Sequence, residues 1–68
     1  MAAEDERLRT ALRDLAEFGW IHVQGASWAA RIAAVAMATT GRRFRVRRLA
    51  GPGDWYCVEE VPERDGEA

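Results

Sequence analysis

Between residues 4 and 18, apolar side chains recur at Leu8, Ala11, Leu12 and Leu15, the i, i+3, i+4, i+7 spacing of one buried helical stripe. Glu4, Asp5 and Glu6 sit in the first turn, where acids complement the positive end of the helix dipole. Asp5–Arg9 and Arg13–Glu17 are spaced i,i+4 on the outer face, each pair contributing about 0.2–0.5 kcal/mol. Gly19 supplies a left-handed stop and sends Trp20 back to pack on Leu15. A first helix over residues 4–18 is therefore expected.

Trp20-Ile21-His22-Val23 reads as a short strand bounded by Gln24-Gly25. Ser27 is placed to cap a second helix from Trp28 to about Thr40, closed by Gly41. That helix is apolar almost all round, with Arg31 its sole charge, so it must be covered on more than one side. Large residues (Trp28, Ile32, Val35) form one stripe and small ones (Ala30, Ala34, Ala38) another. The small stripe permits close packing on the first helix or, failing that, a homodimer seam.

From Arg42 to Leu49 the pattern changes to period two. Phe44 and Val46 can enter a core, while Arg43, Arg45 and Arg47 line the opposite face. Ala50-Gly51-Pro52-Gly53-Asp54 cannot continue a strand and marks a turn, and Trp55 to Val61 is the return strand. Pro62 to Ala68 is charged and reads as a flexible acidic tail. The expectation is one α+β domain over residues 1–61, ordered α-β-α-β-β, with a C-terminal β-hairpin. That order partly resembles a winged helix, which also has a strand after its first helix and a terminal hairpin. The resemblance implies a reduced winged-helix-like alternative. Only eighteen residues separate Val23 from Arg42, and no turn signal breaks Ala29–Thr39 into a helix-turn-helix.

Sixty-eight residues make a single domain, and a core this small gains from oligomerisation. All ten basic residues are Arg, and neither Lys nor Asn occurs, a bias expected of a GC-rich bacterium of actinobacterial type, its phages or its plasmids. Net charge is only −1, but residues 42–50 hold five Arg and no acid while residues 51–68 hold six acids and Arg64. Cys57 stands alone, excluding an intrachain disulfide or a cysteine-based zinc site. The acidic start is not a secretory signal, and no apolar run reaches the length of a membrane span, so no membrane partner is expected. A cytoplasmic location is the expectation.

The cluster Arg42, Arg43, Arg45, Arg47 and Arg48 carries the leading chemical expectation. Three Arg at strand spacing, about 6–7 Å apart, resemble the repeat of phosphates along a nucleic-acid strand. A two-stranded ribbon can also enter a DNA groove, with Thr39-Thr40-Gly41 adding donors to the phosphate backbone. The sequence thus predicts a small non-enzymatic nucleic-acid-binding protein, for DNA and of regulatory or accessory type. The competing expectation is a phage- or plasmid-type protein that docks the Arg row and an exposed aromatic onto an acidic protein surface. Trp55 shares the Arg face if Arg47 pairs with Cys57, and Tyr56 does so if the register slips by one. Trp20 and Trp28 are expected in the core. Both functional readings require the guanidiniums to be uncompensated, since Glu59 and Glu60 can reach across the hairpin and clasp them.

His22 and Cys57 fall on strands that can be neighbours, but no third orienting group is evident for a Cys–His nucleophile. No phosphate-binding glycine motif, metal-ligand cluster or paired carboxylate arrangement appears, so no catalytic residue, cofactor or metal is expected.

Overall fold

The computed structural model describes residues 2–62. Its elements are α1 (Ala2–Phe18), β1 (Trp20–Gln24), α2 (Ala26–Thr40), β2 (Phe44–Arg48) and β3 (Trp55–Glu60). The expected α-β-α-β-β order and the C-terminal hairpin are present, and the fold is a small α+β domain. The three strands form one antiparallel sheet in the order β1-β3-β2, so β3 is central and both other strands are edges.

Both helices pack on one face of this sheet. The core joins Leu15 of α1, Ala29, Ile32, Ala33 and Ala36 of α2, and Val58 of β3. Ile21, Val23, Phe44 and Tyr56 flank it from the same sheet face. Three of the buried α2 residues are alanines, which lets the helix backbone lie close to the strands. The buried α2 stripe is therefore Ala29/Ile32/Ala33/Ala36, and Ala30, Ala34 and Ala38 are exposed. That corrects the expectation that the latter ridge packs on α1.

Two large side chains expected inside, Trp20 and Val46, are exposed, as are Met37 and, at the end of α1, Phe18 at 61%. For Trp20 the cause is alternation: Ile21 and Val23 take the helix-covered face of β1, so Trp20 is turned to the other side with His22 and Gln24. Its ring meets the His22 imidazole, with centroids 4.9 Å apart, rather than Leu15. Trp28 does pack against the core from α2.

The caps also differ from expectation. Gly25, not Ser27, caps α2, and the cap has no side-chain hydrogen bond. Its φ of 100° is one that glycine alone adopts cheaply, and its carbonyl accepts the Ala29 N–H at 3.0 Å. Ser27 lies inside the first turn. Gly41 closes α2 as expected, in the left-handed region with its N–H donating to the Met37 carbonyl. The i,i+4 pairs foreseen on α1 are not formed among the described residues; Glu4 instead accepts from Arg31 of α2 at 2.7 Å. Because α2 is one unbroken helix, the helix-turn-helix of a winged helix is absent from the described residues.

Candidate functional site: the open face of the sheet

The sheet face opposite the helices carries the chemistry. In the β2–β3 register Arg45 pairs with Glu59 and Arg47 with Cys57, and in the β1–β3 register Trp20 pairs with Glu59, His22 with Cys57 and Gln24 with Trp55. Side chains therefore cross the open face in rows: Trp20–Glu59–Arg45, then His22–Cys57–Arg47, then Gln24–Trp55. Successive rows on one face lie about 7 Å apart, so the two indoles stand roughly 14 Å apart along the strand direction. Trp20 is 50% exposed and Trp55 42%.

This is the register in which Trp55 shares the Arg face. Tyr56 is correspondingly turned to the helix side, where its hydroxyl donates to Asp54 at 3.4 Å. It is thereby removed from the candidate interface. Trp55 is held by the turn beside it: a Cβ built on Gly53 would lie 2.9 Å from the indole Cδ1. Only glycine, at φ +83°, leaves room for that ring.

The arginine cluster is divided by the same alternation. Arg45 and Arg47 occupy the open face, and Arg43, whose carbonyl accepts the Val61 N–H at 2.8 Å, continues that series. Arg48 pairs opposite Tyr56 and so belongs to the helix side, and Arg42 precedes the strand. Carboxylates engage three of the five. Arg45 Nε donates to Glu59 Oε2 at 2.6 Å, Arg47 Nη2 lies 3.5 Å from Glu59 Oε1, and Arg42 Nη1 donates to Glu60 Oε2 at 3.3 Å. Neither Arg43 nor Arg48 forms an ion pair among the described residues. Among the described residues Glu59 is the sole acid on the face and Arg43, Arg45 and Arg47 are its bases, which leaves a positive surplus there. The clasp leaves that surplus smaller than a bare row of guanidiniums would give.

Glu59 organises the centre of this surface. The Arg45 hydrogen bond, helped by contacts to Cys57 and Arg47, holds its carboxyl below the ordinary value of 4.5 against the opposing effect of burial. Beneath it, Cys57 is buried, and its thiol donates to Glu59 Oε1 at 3.5 Å. Burial, then the Glu59 contacts, push the thiol above its ordinary 9.0, so it stays protonated near neutrality. His22 stands opposite Cys57 in register, yet its ring packs on Trp20. The two do not form an activated nucleophile.

The Thr39 and Thr40 hydroxyls are already committed. Thr39 donates to the Val35 carbonyl at 2.9 Å and Thr40 to that of Ala36 at 2.7 Å, while Thr40 also accepts the Arg42 N–H. No group of three potential metal ligands occurs among the described residues, and no helix there is long and apolar enough to cross a membrane.

Sequence patterning put Arg45 and Arg47 on one face and left Trp55 or Tyr56 to the register, but it did not place Trp20 and Gln24 beside them. Their signal was present in β1 itself: with His22 and Gln24 on one side of the alternation, Trp20 must share it, leaving Ile21 and Val23 to the core. No protein-family model, curated protein or solved structure matches this chain.

Proposed function

We propose that this chain is a small non-enzymatic protein-binding module that docks its open sheet face onto another protein, acting in the cytoplasm of a bacterium or on behalf of a phage or plasmid. One observation carries the proposal: the pairing register gathers two half-exposed indoles, Trp20 and Trp55, on the face that displays Arg45 and Arg47. Tryptophan and arginine dominate the energetics of protein interfaces, because each buries much area while keeping a polar handle. An indole left half in water in a domain with so few large side chains has no role in the core. The partner that fits offers apolar pockets for two indoles and carboxylates between them, answering the positive surplus on the face. Glu59 supports this reading over phosphate binding, since it pre-orients Arg45 and Arg47 for hydrogen bonding while reducing their long-range field.

A second reading, binding of nucleic acid, DNA included, is favoured by a separate observation. Arg43 and Arg48 have no carboxylate among the described residues, and exposed indoles on a sheet can stack on unpaired bases. The two readings differ in salt dependence. Fluorescence anisotropy with a labelled single-stranded oligonucleotide, at about 50 and 200 mM salt, reads the phosphate contribution directly. Docking on protein predicts no measurable oligonucleotide binding and a stoichiometric partner that survives nuclease treatment of the extract. Binding that collapses with salt, together with loss of every partner after nuclease, would overturn the first reading in favour of the second.

A further inference from the structure

The two edges of the sheet are unequally protected. The Gly25 N–H donates to the Asp54 carbonyl at 2.7 Å and the Glu60 N–H to the Gly19 carbonyl at 2.9 Å. In an antiparallel ladder these bonds recur at every second residue, so Gly19, Ile21, Val23 and Gly25 turn their backbone groups toward β3. Trp20, His22 and Gln24 turn theirs away, where no backbone hydrogen bond meets them among the described residues. On the other edge, the Leu49 N–H to Trp55 and Val61 N–H to Arg43 bonds leave Phe44, Val46 and Arg48 facing outward. That second edge carries Arg45, Arg47 and Arg48, a concentration of like charge that opposes strand addition. β1 has no Arg, acid or proline.

Beside the unguarded edge lies a groove of about 560 Å³ between β1 and α1. Glu6, Arg7, Thr10 and Asp14 of α1 form one wall, and His22 and Trp28 are among the residues of the other. Arg7 is steered across it, its guanidinium 5.0 Å from the Trp28 ring. Arg7 and Asp14 lie on either side of Thr10, at seven-residue spacing on one helix face.

We propose that this edge pairs with the same edge of a second copy, making a two-fold dimer with a continuous six-stranded sheet. The dyad passes through His22, so that Trp20 of each copy lies opposite Gln24 of the other and all three outward-facing residues find backbone partners. The same rotation sets the two α1 helices antiparallel across the groove, with Thr10 near the axis and Arg7 of each copy facing Asp14 of the other. Strand and helix are thus complementary to themselves about one axis, the geometry that a two-fold interface requires. The open face stays accessible in the dimer, so the pairing is independent of what that face binds.

Sedimentation equilibrium on the full chain tests the pairing. The expected wild-type mass is twice 7.6 kDa at micromolar concentration. Two substitutions at the dyad act on the edge, although the His22 ring also touches Trp20 on the open face. His22→Lys opposes two like charges, and His22→Pro removes an N–H that points away from β3. Each is expected to raise the dimer dissociation constant at least tenfold, with the far-ultraviolet circular dichroism unchanged. Should either variant fail to fold, the helix wall gives a separate readout: Arg7→Glu weakens the dimer and Arg7→Glu combined with Asp14→Arg restores it. A wild-type chain that stays monomeric at hundreds of micromolar, or a dimer indifferent to the His22 and Arg7 changes, overturns the proposal. Neither result bears on partner binding by the open face, which the tryptophan variants read.

Discussion

Glu59 of β3 clasps Arg45 of β2 across the sheet, with Nε and Oε2 2.6 Å apart, and the same carboxylate reaches Arg47 through its other oxygen. One acid thereby fixes two cations in a plane beside Trp20 and Trp55. Both arginine side chains remain more than half exposed while that of Glu59 is 19% exposed, so the pairs stay in contact with solvent and each contributes about 0.2–1 kcal/mol.

Glu59→Gln should therefore cost little stability near neutrality, within the range expected for an ion-pair network whose arginines face solvent. The pH dependence has a definite sign. Because the folded carboxyl titrates below 4.5, its contribution is complete above that value and is lost as pH falls through the folded value. Urea titrations should show wild type more stable than Glu59→Gln at pH 7 and the difference gone in strong acid. An equal difference at both pH values would contradict the clasp.

Gly53→Ala should destabilise more than Gly51→Ala. Both glycines have positive φ, so each alanine meets backbone strain of about 1 kcal/mol or more, but only at Gly53 would the new Cβ strike the Trp55 ring. Thermal melts should rank the variants in that order. A shift of tryptophan emission at native conditions in Gly53→Ala alone would report displacement of the indole.

Ile32→Ala and Val58→Ala remove side chains that are fully buried at the junction of α2 and β3. Truncation of a buried isoleucine costs about 2–5 kcal/mol, and in a domain this small that approaches the whole stability. Circular dichroism at 25 °C is expected to show substantial unfolding of Ile32→Ala. Met37→Ala, at an exposed position of the same helix, should melt close to wild type.

Cys57 should be slow to react with an aromatic disulfide reagent in the folded protein. It is 2% exposed, and burial and Glu59 both favour the neutral thiol. The rate should rise steeply across the urea transition. Fast reaction in the native state would contradict the packing of the open face over Cys57.

Much of this fold was legible because each element carries an unmixed signal. The Leu8/Leu12/Leu15 stripe, the Gly41 stop and the glycine-proline turn each admit one interpretation, and all three elements occur where those signals put them. Within α2 the signal fails, since an almost wholly apolar helix has no polar side to orient it. The rotation that buries Ala29 and Ala33 instead of Ala30 and Ala34 is set by contact with the sheet, not by local pattern. Trp20 escaped the core for a related reason. The size of the ring favours the core, whereas on a strand its side is decided by its neighbours Ile21 and Val23. The state of the arginine row was equally undecided by sequence, because whether Glu59 faces Arg45 depends on a register that shifts faces with a single-residue slip.

The most direct measurement compares wild type with Trp20→Ala/Trp55→Ala as bait in nuclease-treated extract, both first verified as folded by circular dichroism. Retention of one stoichiometric protein by wild type, with at least a tenfold loss in the double variant, is the expected result. Equal retention by both baits would mean that the two indoles are not the anchors and that the open face is not the recognition surface.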